Sequence, residues 1–546
     1  MTMQPLTRRT VLSSTAAFAA TAALSSCDGS GGDSEAQEKI DNPDDNINAE
    51  GMPIVDEKIT VTMMTRRSPD TAEDWNEVAS MQEMEQISNI HIEWGPIPWE
   101  QHEENRNLAI TSGDYPEVLH RTGMNAVDIA QYGEQGTLIV LNDVIDQYMP
   151  NLTALLDENE DIRKGLTFPD GNIYSLPTIY DPDFDALNMQ TKMWVRQDWL
   201  DQFGMDPPST LEEFEAYLVE VKNGDPNGNG EADEIPYSAG NPDQFVQLFH
   251  STFGIATRGL SSGYIDADES GALRFWPTAD GYRDELEYLQ RLYADGLIQQ
   301  DIFTTDAASY NTLGQEDVFG AAAGQSPSAY FGSEIGENYI ALPPLRRTAG
   351  DDIPAWNMVY SPLKFIGQFV VTDRAEHPIE ICRWADYFYG DEGARLFFMG
   401  IEGESYEETE DGYELLEHIT DNPDGLSVNE ALRPYVTYLG GSYPGLVLED
   451  YFRGTESSPQ AREGTDVVAP HQTEEVWPLF TYTAEEAGEL SSITLDMNKL
   501  VSESQAKFIT GEMSMSEWDT YVGQLEQMGL DRYLEIQQEA YDRYRG

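Results

Sequence analysis

Strand-like and helix-like segments alternate along the chain from residue 58 onward. Residues 58–65 (KITVTMMT) and 90–94 (IHIEW) alternate apolar and polar side chains, as half-buried strands do. Between them, residues 71–88 place apolar side chains at helical spacing. A strand, a helix and a second strand in this order predict a parallel sheet covered by helices, which is the α/β class. The chain has 546 residues, enough for two or more domains, each with its own core.

A strong negative charge is spread along the whole chain. The sequence has 31 Lys and Arg residues against 99 Asp and Glu residues, which gives a net charge of -68. Such a surface repels itself at low ionic strength, so we expect a halophilic protein that works in concentrated salt. The charge also argues against nucleic-acid binding, because phosphate contacts require a basic surface. Hydrophobic residues still make up 40% of the chain, which is typical of a globular protein.

The first 27 residues have the pattern of an export signal. Arg8 and Arg9 precede an apolar run at 11–24, which is too short to span a bilayer. The arginine pair favours twin-arginine export, with general secretion as the alternative. The sequence LSSC that ends at Cys27 resembles a lipobox, in which the cysteine is lipidated after cleavage.

Residues 28–56 are rich in Gly, Ser, Asp and Asn and show no periodicity, which predicts a flexible acidic tether. No later segment has the length of apolar sequence that crosses a membrane. We therefore expect an exported body, held at the cell surface on the cytoplasmic membrane by one lipid anchor. The only other cysteine, Cys382, lies in an apolar helical stretch and is predicted to be a buried thiol.

A loop at 224–236, GDPNGNGEADEIP, alternates oxygen-bearing side chains with glycines. Calcium binds roughly six to eight oxygen atoms, so this pattern on a tight loop predicts a calcium site. An EF-hand-like loop that begins at Asp225 has Gly230 at its sixth position, where the chain must turn sharply. Pro236 stands at the twelfth position, where a bidentate glutamate is usual, and Glu234 at the tenth would complete the ligand set instead.

The candidate ligands of this loop are Asp225, Asn227, Asn229, the backbone carbonyl of Glu231, Asp233 and Glu234. A cage filled by oxygen ligands leaves no open position for water, so the ion would stabilise structure and would not do chemistry. The alternative interpretation is a solvated acidic turn in a very acidic protein.

The sequence gives little indication of an enzyme. It contains no GxSxG, no phosphate-binding P-loop and no HExxH, and its seven histidines do not fall at metal-ligand spacing. Carboxylate pairs of the kind used in glycoside hydrolysis are not excluded, because acidic residues are abundant everywhere. We therefore expect a protein without catalytic activity.

Several short stretches resemble one family, the extracellular solute-binding proteins of ABC importers. They are 112–118 (SGDYPEV), 170–177 (DGNIYSLP), 194–200 (WVRQDWL), 400–403 (GIEG) and 508–512 (FITGE). The resemblance runs from about residue 57 to the end and rests on the order and number of these motifs. It implies two α/β lobes of the type II periplasmic-binding-protein fold, with the ligand held in the cleft between them. It also implies a monomer that docks onto the membrane permease subunits of the importer.

Within that family the chain looks most like the lipoproteins that include alginate-oligosaccharide binders. In those proteins a loop of the form Asp-x-Asn-x-Asn-Gly-x-x-Asp-Glu binds a structural calcium, and residues 225–234 have the same form. The resemblance therefore implies the same six ligands that the spacing indicates, and an oligosaccharide as the imported solute.

The resemblance also sets the expected domain boundaries. The predicted N-terminal lobe comprises 57–180 and 340–405, and the predicted C-terminal lobe comprises 181–339 and 406–546, including the calcium loop. Sugars present flat C–H faces that stack on aromatic rings, while carboxylates accept hydrogen bonds from their hydroxyls.

The expected ligand contacts lie near the chain crossings between these lobes. Tyr180 and Trp356 are predicted to stack on the sugar, Glu402 to accept hydroxyls, and Tyr443 in a Gly-rich loop is a fourth candidate. Two alternatives stay open: a binder of another solute, such as a peptide, and a surface glycoside hydrolase. The acidity disfavours a uronate ligand at long range, although concentrated salt screens most of that repulsion.

Overall fold

The computed structural model describes residues 35–546, except for 44, 70, 269, 411 and 439. The predicted export signal, with Arg8 and Arg9, and the predicted lipidation site Cys27 lie outside the described residues.

The described strands form two larger sheets and two hairpins. They are β1 (Ile59–Arg67), β2 (Ile90–Pro98), β3 (Val118–Met124), β4 (Leu176–Tyr180), β5 (Lys192–Arg196), β6 (Ile235–Ala239), β7 (Ile265–Ala267), β8 (Leu273–Phe275), β9 (Phe319–Gly324), β10 (Tyr339–Ala341), β11 (Leu363–Val371), β12 (Tyr406–Thr409), β13 (Gly412–Leu415) and β14 (Gly445–Val447).

The first large sheet has six strands in the order β14-β4-β11-β3-β1-β2. Strand β1 lies parallel to both β2 and β3, so the three strands end at the same edge of the sheet. Strand β11 runs antiparallel between β3 and β4, and β14 is parallel to β4. The alternating strand and helix pattern at the start of the chain thus gives the parallel part of this sheet, as expected.

The second large sheet has four strands in the order β10-β5-β9-β6. Strands β6 and β9 are parallel, whereas β5 runs antiparallel to both of its neighbours. Two separate sheets with helices packed on them form a two-lobe α/β fold.

The described helices are α1 (Glu35–Asp41), α2 (Ala79–Ser88), α3 (His102–Ser112), α4 (Ala126–Glu134), α5 (Asn142–Tyr148), α6 (Pro150–Glu158), α7 (Glu160–Leu166), α8 (Asp185–Asn188), α9 (Gln197–Phe203), α10 (Leu211–Asn223), α11 (Pro242–Gln247), α12 (Asp280–Ala294), α13 (Ala307–Gly314), α14 (Pro327–Phe331), α15 (Ser333–Gly336), α16 (Pro378–Asp386), α17 (Asp391–Met399), α18 (Glu417–Thr420), α19 (Val428–Leu432), α20 (Pro459–Val468), α21 (Ala484–Thr510), α22 (Trp518–Gln527) and α23 (Leu530–Arg545). Local sequence signals set several of their ends. In α21, Thr483 and Glu486 form a capping box at the start, and Gly511 ends the helix in the left-handed conformation.

Two large hydrophobic cores show where the chain passes from one lobe to the other. The first core takes its residues from 36–187 and 363–452, together with Ala487, and surrounds the six-stranded sheet. The second takes its residues from 189–359 and 468–540. The chain therefore crosses near 188, near 360 and between 452 and 468.

These crossings correct the predicted lobe boundaries at 180, 340 and 405. Strand β14 pairs with β4, which places the chain as far as 447 in the first lobe. Trp356, Met358 and Val359 are buried in the second core, so the second crossing lies after them. The sequence misses both features because β14 has three residues and 354–362 has no periodic pattern.

The predicted flexible tether is wrong for residues 35–56. Helix α1 buries Ala36, and Ile54 is also completely buried in the first core. The Arg383 guanidinium donates hydrogen bonds to the carbonyls of Gly51, at 2.8 Å, and Asn48. The few apolar residues of this segment are too widely spaced to form a periodic pattern, and tertiary contacts alone order them.

In the part of the chain that the structure describes, no helix combines the length and apolarity needed to cross a membrane.

Candidate functional site

The predicted calcium loop connects α10 to β6 in the second lobe. Gly228 and Gly230 have φ angles of 73° and 81°, which bring the loop around in the left-handed region that glycine tolerates. The Asn227 and Asn229 side-chain oxygens accept hydrogen bonds from the backbone N–H groups two residues further on, at 3.1 and 2.7 Å. The Gly230 N–H donates to an Asp225 carboxylate oxygen at 3.1 Å. These bonds fold the loop around its own oxygen atoms.

Two further carboxylates of the loop are those of Asp233 and Glu234. Asn229 Nδ2 donates to both carboxylate oxygens of Asp233, at 3.2 and 3.1 Å. Both carboxylate oxygens of Glu234 are buried without a hydrogen-bond partner. Burial, followed by the charges of Asp233 and Asp225, raises the pKa of Glu234. A buried carboxylate beside two others without a counterion is costly, and a cation bound there would remove that cost.

The chemistry of the loop favours a mixed oxygen ligand set. Among the described residues, no group of three or more His, Cys, Asp or Glu side chains is arranged to hold a metal ion. The candidate ligands of the loop are amide, backbone carbonyl and carboxylate oxygens, which are the ligand types that calcium prefers.

A second group of interest lies at the carboxyl ends of β1, β2 and β3. We call Arg66, Trp99, Arg121 and Tyr438 the arginine–aromatic cluster. The Arg66 guanidinium lies 4.0 Å from the centre of the Trp99 ring, and the Arg121 guanidinium lies 3.7 Å from that of Tyr438. The two rings stack with their centres 5.9 Å apart. In open α/β sheets, ligands bind outside the carboxyl ends of the strands, which is where this cluster lies.

The sheet register brings the two arginines together. Thr65 of β1 pairs with His120 of β3, so Arg66 and Arg121 follow side by side. Arg121 has a φ angle of 55°, a conformation that is uncommon for a residue with a side chain, and it lies opposite an irregularity in β11. Its Nε donates to the Ser442 carbonyl at 2.7 Å, and Arg66 Nη2 donates to the Ser442 hydroxyl at 3.1 Å. Burial lowers the pKa of Arg121 to about 9.

A cavity of about 860 Å³ opens beside this cluster. Trp99 and Tyr438 form part of its wall, together with Arg67 and Pro98 at the end of β1 and β2. Its volume is in the range of small-molecule sites, roughly 300 to 1,000 Å³. Rings and cationic donors at one cavity provide both an apolar face and hydrogen-bond donors for a ligand.

Tyr180 extends this site toward the second lobe. The ammonium of Lys364 lies 6.0 Å from the Tyr180 ring centre and 2.7 Å from that of Tyr360. The Tyr180 ring packs closely on the backbone of Gly441, where a Cβ atom would lie 3.3 Å from it. Burial raises the pKa of Tyr180 and lowers that of Lys364 to about 7.

Polar groups from the second lobe and from the third crossing meet near Tyr180. The Glu456 carboxylate, at the third crossing, accepts a hydrogen bond from Gln325 Nε2 at 2.9 Å. Lys192 of β5 donates to the Ala461 carbonyl at 3.1 Å. Burial raises the pKa of Glu456 and lowers that of Lys192 to about 7, and the negative charge of Glu456 contributes to the raised pKa of Tyr180. These interactions place titratable groups from both lobes around one interlobe region.

Comparison with known proteins identifies the family. No family model matches the chain. A curated relative, the fructooligosaccharide ABC transporter substrate-binding protein FusA of Streptococcus pneumoniae, is 30% identical over 504 residues, which cover 89% of this chain and 91% of FusA. This chain belongs to the substrate-binding proteins of ABC transporters. Lipoprotein LipO of Bacillus subtilis is 25% identical over 263 residues, covering 46% of this chain and 47% of LipO.

Solved structures agree with the assignment of this chain to the substrate-binding proteins. FusA of S. pneumoniae in complex with kestose has a TM-score of 0.73 and 29% identity, and the match covers 89% of this chain and 99% of FusA. A FusA EF-hand mutant in complex with fructo-nystose has a TM-score of 0.72 and 28% identity, with the same coverage. The alginate-binding protein AlgQ2 without calcium ion shares the fold, with a TM-score of 0.70 and 22% identity over 89% of this chain and 99% of AlgQ2.

The four predicted ligand contacts of this substrate-binding protein lie in different environments. Tyr180 lies in the interlobe region, with 4% of its surface exposed. Trp356 is 2% exposed and packs in the second core, so its contact with a ligand stays a prediction that needs a conformation with the indole uncovered. Glu402 is exposed in the turn before β12, and no contact among the described residues joins it to the arginine–aromatic cluster.

Tyr443 lies in the first core, so its contact with a ligand, like that of Trp356, stays a prediction. Its ring is 1% exposed and stacks on Phe397 with 4.0 Å between the ring centres. Its hydroxyl donates to the backbone carbonyls of Leu446 and Phe388. The Gly-rich loop around Tyr443 suggested an open position, but the loop turns the ring inward, next to β14.

The arginine–aromatic cluster is the part of the site that the sequence did not reveal. Its members stand at 66, 99, 121 and 438 and meet only through the strand order of the first sheet. One signal was available: cations are scarce in this chain, so two arginines at predicted strand ends are unusual.

Proposed function

We propose that this substrate-binding protein captures an oligosaccharide in the cleft between its lobes and delivers it to the permease of an ABC importer. The observation that carries the proposal is the cavity lined by the stacked Trp99 and Tyr438 rings, against which the guanidiniums of Arg66 and Arg121 lie. Aromatic faces hold the apolar faces of sugar rings, and the donors bind hydroxyl groups. The ligands named for FusA, kestose and fructo-nystose, support an oligosaccharide and not a peptide.

The arrangement of polar groups around Tyr180 supports a two-state cleft. Lys364 belongs to the first lobe and Lys192 to the second, with Glu456 at the crossing between them. A ligand that contacts both lobes favours the closed state by its differential affinity for that state. The closed form would then dock onto the permease as a monomer. No catalytic step is required, and the relatives found are binding proteins.

Loss of the Trp99 ring is expected to weaken oligosaccharide binding by roughly 10- to 100-fold, because a half-buried aromatic ring at the cavity wall supplies most of the apolar contact. Calorimetric titration of Trp99→Ala with a panel of oligosaccharides measures this loss. Tyr443→Phe is the matched control. Because Tyr443 lies in the core, this variant should bind the oligosaccharides with the same affinity as the unaltered protein.

The same titrations separate the alternative functions. If the protein bound peptides but none of the sugars, the proposal of an oligosaccharide ligand would be contradicted. Release of reducing ends from the sugars would favour a glycoside hydrolase. Equal sugar affinity in Trp99→Ala and the unaltered protein would contradict the location of the cleft.

We also propose that the loop at 225–234 binds a structural calcium ion. Asp225, Asn227, Asn229, the Glu231 carbonyl, Asp233 and Glu234 would hold it. The unpartnered carboxylate of Glu234 and the left-handed turns at Gly228 and Gly230 support this proposal. A solved structure of the relative FusA is named as an EF-hand mutant, which also supports the proposal.

The proposed location is outside the cytoplasm, reached by twin-arginine export and kept by a lipid on Cys27. Cys27→Ser is expected to release most of the protein into the medium, because the body has no other predicted membrane anchor. Fractionation of membranes and medium measures the distribution. Cys382→Ser is the control and should stay with the membrane, since that thiol is buried in the first core. Membrane retention of Cys27→Ser would contradict the lipid anchor.

A further inference from the structure

Two guanidinium groups in the arginine–aromatic cluster have no acidic partner. Two other buried arginines are paired with carboxylates: Arg106 lies 2.8 Å from an Asp128 oxygen, and Arg196 lies 2.6 Å from an Asp198 oxygen. A third, Arg383, donates both of its hydrogen bonds to backbone carbonyls and so has acceptors for its donors. In contrast, neither Arg66 nor Arg121 has a carboxylate within 4.0 Å among the described residues. This is unexpected in a chain with a net charge of -68, where carboxylates outnumber cations three to one.

Both guanidiniums also have buried donors without acceptors. Within the part of the chain that the structure describes, Arg66 Nε and Arg121 Nη2 have no hydrogen-bond partner, and only 1% of the Arg121 surface is exposed. Their remaining contacts are Ser442 and the two aromatic rings, which are neutral. A buried guanidinium keeps its proton. Among the described residues only the more distant carboxylate of Glu103 acts on Arg66, so a bound anion would complete the neutralisation of the two charges.

We infer that the ligand carries an anionic group, a carboxylate or a sulfate ester on the oligosaccharide, which Arg66 and Arg121 bind while its sugar ring lies against Trp99 and Tyr438. The inference rests on the proposed function, whose cleft it uses. A guanidinium presents parallel N–H donors that match the two oxygens of a carboxylate or sulfate. The strained backbone of Arg121 holds its side chain at this position, as strain often does at functional sites.

The acidity of the whole protein does not prevent such binding. The acidic residues nearest the cavity, Glu73, Glu100 and Glu103, are exposed, so solvent ions screen their charges. In concentrated salt the screening length is about 3 Å, so these exposed carboxylates repel a bound anion only at close range. The guanidiniums of Arg66 and Arg121 are largely shielded from solvent, so salt screens their attraction for a bound anion much less. This attraction therefore persists in salt that removes the long-range repulsion by the surface carboxylates.

Titration with matched sugars tests the inference. The probes are trigalacturonate, its fully methyl-esterified form and a sulfated galactotriose, with neutral galactotriose and kestose for comparison, all in the same concentrated salt. We expect an anionic probe to bind roughly 10- to 100-fold more tightly than its neutral counterpart, which is the range for a charge-assisted hydrogen-bond pair. Preference for trigalacturonate indicates a carboxylate, and preference for the sulfated sugar indicates a sulfate ester.

The outcomes separate this inference from the proposed function. Binding of neutral sugars with no preference for either anionic probe overturns the inference and leaves the oligosaccharide function intact. Absence of binding by all five sugars overturns both.

Variants distinguish a binding role of the arginines from a structural one. In Arg66→Gln and in Arg121→Gln we expect the preference for the anionic probe to fall to within about threefold of the neutral one. Because these charges are unpaired in the ligand-free protein, the melting temperature without ligand should stay the same or rise. Arg196→Gln is the contrast: it should lower the melting temperature and keep the preference, because it breaks ion pairs remote from the cavity. Anionic preference that survives in both Arg66→Gln and Arg121→Gln overturns the assignment.

Discussion

Removal of calcium is expected to lower the melting temperature of this substrate-binding protein by about 5 to 10 °C. At a free calcium concentration about 100 times the dissociation constant, binding to the folded state adds about 2.7 kcal/mol to the free energy of unfolding. For the second lobe, which carries the loop and has about 240 residues, each kcal/mol corresponds to roughly 2 to 4 °C when the lobe melts as its own unit. The loss is structural: without the ion, the carboxylates of Asp225, Asp233 and Glu234 face one another between α10 and β6. Calorimetric melting with excess calcium and with EGTA, in the same concentrated salt, measures the shift.

Two glutamates of the loop provide matched variants for this experiment. Glu234→Gln should lose most of the calcium-dependent shift, because the Glu234 carboxylate is the buried group without a partner. Glu231→Gln removes the same charge but should keep the shift, since Glu231 is exposed and contributes only its backbone carbonyl. Identical melting with calcium and with EGTA would rule out the site. A full shift in Glu234→Gln would remove that residue from the ligand set.

Patterns within short stretches of sequence predicted several strands, helices and turns of the fold. The strand predicted at 90–94 corresponds to β2. The helix predicted at 71–88 corresponds to α2, which begins only at Ala79, after a short 3₁₀ helix at Trp75–Glu77. The glycines of the calcium loop adopt the left-handed turns that its spacing requires. In each case the residues that form the feature are close together in the chain.

The parts that the sequence did not predict depend on contacts between distant residues. Tyr438 reaches the cavity because the segment after β13 packs on α2, where the N–H groups of Ala79 and Ser80 donate to the carbonyls of Pro434 and Tyr435, at 2.9 and 3.1 Å. No periodicity in 416–440 indicates that contact. The order of residues 35–56 likewise comes from the helix α16 beneath them and not from their own composition. A candidate site built at strand ends can be located from sequence only after the strand order is known.

Transfer from about 1 M to about 0.01 M KCl is expected to unfold this protein at room temperature, because the screening length rises from about 3 to about 30 Å. With 99 acidic against 31 basic residues, most carboxylates have no cation of their own and depend on solvent ions. The hairpin of β12 and β13 shows the effect locally, since Glu407 lies directly opposite Glu414 and both are exposed. Like charges in directly opposed cross-strand positions destabilise a hairpin. Far-ultraviolet circular dichroism across a KCl series, with excess calcium throughout, measures the transition separately from the metal site.

The same hairpin offers a pair of variants that separates local repulsion from total charge. Glu407→Lys places a cation opposite Glu414 and should raise the melting temperature by about 1 to 3 °C in the lowest salt at which the protein stays folded. Glu408→Lys makes the same change in net charge opposite Tyr413, so it should raise the melting temperature less. In about 1 M KCl both variants should melt with the unaltered protein, because screening removes the repulsion that they relieve. A melting temperature that is independent of KCl would contradict the halophilic interpretation, since the excess of carboxylates would then be neutralised by contacts within the fold and not by the solvent.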